Sequence, residues 1–158
     1  MEIREEAKGT RKMLERVPVN SLTWKPHEKS MTLGRLASHV AEIPGWVNYT
    51  LDSDEIDFGK FNYAPPVVNT TDDLLKILDD NVEKAVASLN KSAIEDFSKM
   101  WTMRNNETVY FTLPKLVVIR QFAMNHLYHH RGQLSVFLRM LDVPLPGVYG
   151  PTADEMAM

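Results

Sequence analysis

The sequence contains no cysteine. That absence excludes disulfides, thiolate metal sites, iron–sulfur clusters and a cysteine nucleophile, so any metal has to be held by imidazole, carboxylate or water. Long apolar runs are missing as well: none reaches the roughly eighteen residues that a membrane-crossing helix needs. The opening MEIREEAKGTRKMLERV is charged throughout and has no apolar stretch of the kind a secretory signal carries. Basic clusters are also lacking. With 18 Lys and Arg against 21 Asp and Glu, the formal charge is −3, which is not the electrostatic footprint of a nucleic-acid binder. What remains is globular: 158 residues, 44% apolar and 25% charged, suffice for one core, and the expectation is a single domain over 1–158. A cytoplasmic protein that binds neither nucleic acid nor membrane follows as the starting expectation.

Hydrophobic periodicity predicts mostly helix. Ile3, Ala7, Thr10, Leu14 and Val17 recur at spacings of three and four, one face of a helix that must end before Pro18. Thr32 reads as the N-cap of a second helix whose stripe is Leu33, Leu36, Ala37, Val40, Ile43 and Val47. Pro44-Gly45 falls inside that stripe and predicts a kink. DSDEIDFGKFNYAPPVV then reads as a long acidic loop, and loops of this length often cover something. Thr70 and Asp73 form a capping box ahead of Leu74, Leu78, Val82, Ala85 and Leu89.

Beyond Ser92-x-x-Glu95, a short helical signal, β-favouring residues flank Asn105-Asn106 and predict a small hairpin. Pro114 opens a final helix through Leu116, Ile119, Ala123, Leu127, Leu134, Phe137 and Leu141, roughly 40 Å long at 1.5 Å per residue. The proline-rich tail is expected on the surface. The predicted fold is all-α: a four-helix bundle with a long loop between the second and third helices and one small β-hairpin.

The informative residues are histidines on stripes that otherwise carry apolar side chains. His126 follows Ala123 by three and His130 precedes Leu134 by four, so the pair sits one turn apart on one face of the last helix. His39 lies between Leu36 and Ile43 on the inward face of the second helix. Three buried imidazoles are costly unless their nitrogens are satisfied, and a divalent cation satisfies one on each ring at once. Hydrogen-bonded core histidines are the other reading of the same pattern. The pair is not a zinc-protease motif, because Leu127 stands where His-Glu-x-x-His needs its glutamate. His27 is expected at the surface and His129 on the outer side. Glu42, three residues after His39, could orient a ligand or simply be solvated. Gly132, a helix-interior glycine, suggests a close approach by a neighbouring helix.

Leu36-Ala37-Ser38-His39-Val40-Ala41-Glu42, the block Asn125-His126-Leu127-Tyr128-His129-His130-Arg131-Gly132-Gln133-Leu134, and the ending Val148-Tyr149-Gly150-Pro151-Thr152-Ala153-Asp154-Glu155 together resemble the DinB/YfiT superfamily. Trp24-Lys25-Pro26-His27-Glu28-Lys29-Ser30-Met31-Thr32 is similar to that family's lead-in. The resemblance implies a four-helix bundle holding one divalent ion, commonly nickel or zinc, through the residues at positions His39, His126 and His130. It also implies a homodimer. Among characterised members it implies thiol-dependent transferases, which use a low-molecular-weight thiol and an electrophilic small molecule.

Imidazole also suits manganese or iron. Three protein ligands leave a coordination position open, as catalytic sites do. A metal-dependent thiol S-transferase is therefore the first functional expectation, with a hydrolase less favoured. A non-catalytic metal-binding or stress-response protein with a structural or sensory site is the alternative.

Overall fold

A computed structural model describes residues 2–156. Helix α1 (Glu2–Leu14) forms where the first stripe predicts it, with Glu2 and Glu5 in its first turn and Arg11 and Lys12 in its last, each sign favourable to the helix dipole. Helix α2 (Leu33–Glu42) is capped as expected: Thr32 is extended and its hydroxyl accepts from the Arg35 amide at 3.2 Å. The kink predicted at Pro44 is there: Ile43 and Pro44 both keep right-handed helical angles, but the α-helical hydrogen-bond ladder breaks between them and helix α3 (Gly45–Asp52), where Trp46 and Val47 donate three residues back, to Ile43 and Pro44. A Cβ on Gly45 would lie 2.5 Å from Asn81 Oδ1, so glycine here admits the next long helix against the α2–α3 junction.

That helix, α4 (Thr71–Lys91), carries the complete Thr70/Asp73 capping box. The apolar faces of α1, α2, α4 and the C-terminal helix share one core. Leu14, Leu33, Leu36, Leu74, Leu78, Leu127, Leu134 and Leu138 are all at most 1% exposed within it.

The all-α expectation gives way to a mostly helical fold that also carries a three-stranded mixed sheet. The predicted hairpin is there, as β2 (Met100–Asn105) and β3 (Thr108–Pro114), turning through Asn106 at φ 50°, a conformation Asn tolerates. The unpredicted strand is β1 (Glu55–Asp57), drawn from the acidic loop and paired parallel to β2 with Ile56 opposite Met103. Three residues separated by over forty positions from their partners leave no periodic signal. Beneath the sheet lies a second cluster of Ile56, Trp101, Met103 and Val118, with Trp101 fully buried and its Nε1 donating to Ser53 Oγ at 3.1 Å.

The last helical rod departs from expectation in phase. Pro114 is the capping residue before it rather than its first turn. Helix α5 (Lys115–Val118) runs into a π-helical stretch (Ile119–Asn125) and then α6 (His126–Met140). A π turn takes about one extra residue, so the face upstream of it rotates. Leu116, expected in the core, is therefore exposed, and Lys115 and Val118 are buried instead. Lys115 is held by Asp54 and the Leu51 carbonyl. The short element after α4 is a 3-10 turn at Ile94–Ser98. Its cap falls one residue later than predicted, the Ala93 amide donating to Asp96 Oδ2.

Among the described residues the tail has no helix or strand, yet it is not a loose surface segment. Pro146 is buried, Val143, Leu145 and Val148 pack on the core, and Arg131 on α6 binds Tyr149. Among the described residues, no helix is long and apolar enough to cross a membrane.

Candidate metal centre

Helices α2 and α6 bring His39, His126 and His130 together. One ligand nitrogen from each lies within 4.8 Å of the others, and the Nε2 atoms of His39 and His126 are 3.3 Å apart. Ring centroids stand 4.5 to 5.0 Å from one another, with the planes turned 57° to 75°. Two nitrogens about 2.0–2.1 Å from a shared ion at tetrahedral angles would be about 3.3–3.4 Å apart, so the spacing fits common coordination. The π stretch ends at His126, where the His126 amide bonds back to Gln121 and Ala123. This extra residue sets the rotation at which α6 presents its histidine pair.

Each ring's second nitrogen tells which nitrogen is free. Nδ1 of His130 lies 2.7 Å from Gln133 Oε1, which can only accept, so Nδ1 carries the proton and Nε2 keeps a lone pair. Nδ1 of His126 is buried beside the Phe122 carbonyl one turn back, with no well-formed hydrogen bond among the described residues. Nδ1 of His39 faces the Arg35 guanidinium at 3.5 Å, the outer limit of a hydrogen bond.

Burial, followed by the proximity of His130 and His126, pushes the His39 pKa down to about 3. Burial is also the main cause lowering His126 and His130. All three rings are thus neutral at pH 7, the state in which imidazole ligates. Neutral rings, an Nε2 lone pair left on His130 and a coordination-length spacing between the Nε2 atoms of His39 and His126 make this donor set fit a divalent ion.

Around the histidines a polar network appears that the sequence did not disclose. Arg35 donates to Glu42 Oε2 (2.9 Å) and to the Tyr63 hydroxyl (2.9 Å), and Tyr63 donates to both Glu42 oxygens at 2.9 and 3.0 Å. Burial, then the Glu42 carboxylate, raises the Tyr63 pKa to about 12, so the phenol stays a donor. Glu42 therefore neither orients a histidine nor stands free in solvent; it ties Arg35 to the loop. Arg35 could have been suspected from its four-residue spacing to His39, and Gln133 from its three-residue spacing to His130. Nothing local marks Tyr63.

Beside His39 lies a cavity of about 590 Å³, walled by α2 and α3, by Ile77, Asn81 and Lys84 of α4, and by the segment from Ile56 to Pro66. The acidic part of that segment does not cover the site. Asp52 binds Ser88, Asp54 binds Lys115, and Asp57 accepts from the Asn106 and Gly59 amides. The cover comes from the aromatic residues that follow.

The remaining residues separate cleanly. His27 is exposed, its Nδ1 accepting from the Lys29 amide, and His129 is exposed on the outer side of α6. Tyr128 donates to Glu2, and Arg131 is buried against Glu6. Gly132 meets open space where a Cβ would be, so the close helix approach expected there is absent among the described residues.

Similar proteins agree with this architecture. The uncharacterized protein YrdA of Bacillus subtilis (strain 168) is 26% identical over 155 residues, covering 96% of this chain and 86% of YrdA. The crystal structure of the DinB-like protein YjoA from Bacillus subtilis superposes with a TM-score of 0.70 at 20% identity, over 92% of this chain and 94% of that one. A DinB-like protein from Bacillus cereus ATCC 10987 gives 0.69 at 23% identity, over 92% of each chain. The family model described as DinB family matches residues 1–157. The chain belongs to the DinB family.

Proposed function

We propose that this protein is a divalent-metal-dependent enzyme of the thiol S-transferase kind, acting on an electrophilic small molecule. The observation that carries the reading is the 590 Å³ cavity opening beside His39, next to a cluster of three neutral imidazoles. A purely structural site would need no such adjoining space. His39, His126 and His130 would hold the ion, with nickel or zinc the expected metal and manganese or iron also compatible with all-imidazole ligation. Such an ion supplies a lowered thiol pKa, and hence a nucleophilic thiolate near neutral pH.

The chain's own residues do the rest. Gln133 holds the proton on His130 Nδ1. Arg35 and Glu42 tether Tyr63, and with it the aromatic segment over the cavity. The aromatic walls place apolar surface beside the reacting groups. With no cysteine in the chain, the thiol has to come from outside.

The same reading takes the core of α1, α2, α4 and α6 as a four-helix bundle and the working unit as a cytoplasmic homodimer, the latter testable by sedimentation velocity. The test of activity is consumption of a low-molecular-weight thiol in the presence of an electrophile. Turnover that chelator abolishes and added nickel or zinc restores supports the enzyme. Stoichiometric metal without thiol consumption in any pairing would shift the assignment to a non-catalytic metal-binding or stress-response protein.

A further inference from the structure

The part of the cavity wall drawn from the segment after β1 is aromatic although it is open to solvent. Phe58, Phe61 and Tyr63 keep 40%, 41% and 47% of their surface exposed. Two of them are nevertheless ordered by ring contacts: Phe61 and Tyr63 stack with planes 9° apart, and Tyr49 of α3 meets Phe61 edge-on at 5.9 Å. Trp46 completes the lining from below. Ordered, half-bare rings facing a cavity provide apolar area that a flat ring system would cover, and offset or edge-on ring contacts are worth about 0.5–1.5 kcal/mol beyond the area itself.

The charges lining the same space are unequal. Glu42 is matched by Arg35, whereas Lys84 of α4 reaches the cavity with no ion-pair partner among the described residues. One positive charge is left over, before any cation beside His39 is added.

We propose that the cavity binds a small molecule with a planar aromatic body and an anionic group, the ring lying among Phe61, Tyr63 and Tyr49 and the anion answering Lys84. This deepens the transferase reading, on which its chemical meaning rests, by naming the class of the electrophile. The binding claim itself can be tested without turnover.

Isothermal titration calorimetry on the full chain, metal-loaded and chelated, would compare three probes: 2-naphthoate, the neutral 2-naphthylmethanol and the saturated anion cyclohexanecarboxylate. The expected result is naphthoate binding at least tenfold tighter than either other probe. Phe61→Ala and Lys84→Glu should each weaken it fivefold or more, with circular dichroism unchanged. Equal affinities for the three probes, or naphthoate binding indifferent to both substitutions in folded protein, would overturn the inference. Selective naphthoate binding in a protein that never consumes thiol sustains the site while the transferase reading falls. Thiol transfer without any preference for aromatic anions does the reverse.

Discussion

His130 and Arg131 are consecutive on α6 and both buried, at 9% and 3% exposure, yet the molecule treats them in opposite ways. Arg131 is saturated by protein. Its guanidinium donates to the Glu6 carbonyl at 3.0 Å, Thr10 Oγ1 at 3.1 Å, Glu6 Oε2 at 2.7 Å and the Tyr149 hydroxyl, and lies 5.1 Å from the Tyr149 ring centroid. Among the described residues His130 has a protein partner on one nitrogen only, and its neighbours His39 and His126 offer further imidazoles rather than counter-charges. A buried polar group that the chain satisfies fully is a structural joint. One that it leaves half-satisfied, beside others in the same state, is prepared for something from outside.

The sharpest way to break this contrast is to exchange the consequences. Arg131→Met should cost about 3–5 kcal/mol by stranding the Glu6 carboxylate and releasing the tail, read from urea unfolding, while the folded fraction keeps its metal stoichiometry. His126→Ala should do the opposite. Metal affinity should fall by two or more orders of magnitude in a competitive chelator titration, with the unfolding midpoint of metal-free protein nearly unmoved. Between these extremes, Gln133→Leu frees the His130 tautomer and should weaken metal binding about 10–100-fold. Smallest is a control away from both regions: Thr32→Ala removes a cap and should cost about 1 kcal/mol with no effect on metal.

Much of this contrast was legible in the sequence. The 3–4 spacing that made Leu36 and Leu134 core residues also placed His39, His126 and His130 inward, because a helix gives all positions of one stripe the same environment. The caps at Thr32 and Thr70 were readable for the same local reason. What escaped prediction depends on distant partners. Strand β1 exists because Ile56 finds Met103, and the tail is ordered because Tyr149 finds Arg131 and Glu6. Leu116 was misplaced because a π stretch changes helical phase without a sequence marker, and Gly132 because a helix glycine need not mean a close neighbour.

The pH response sharpens the comparison further. The three imidazoles have pKa values held below the ordinary range near 6.5 by burial, so unfolded chains bind protons that the folded one refuses. Stability of the chelated protein is therefore full above about pH 6.5 and is lost progressively as pH falls toward 3. His39→Ala should flatten that slope in urea titrations across the window.

Whether the three histidines hold an ion is decided by elemental analysis of protein purified without a histidine tag. The expected result is about one equivalent of divalent ion per chain in the wild type and none in folded His126→Ala. Wild-type protein that binds no ion after incubation with nickel or zinc, or a variant that retains its full equivalent, would contradict it.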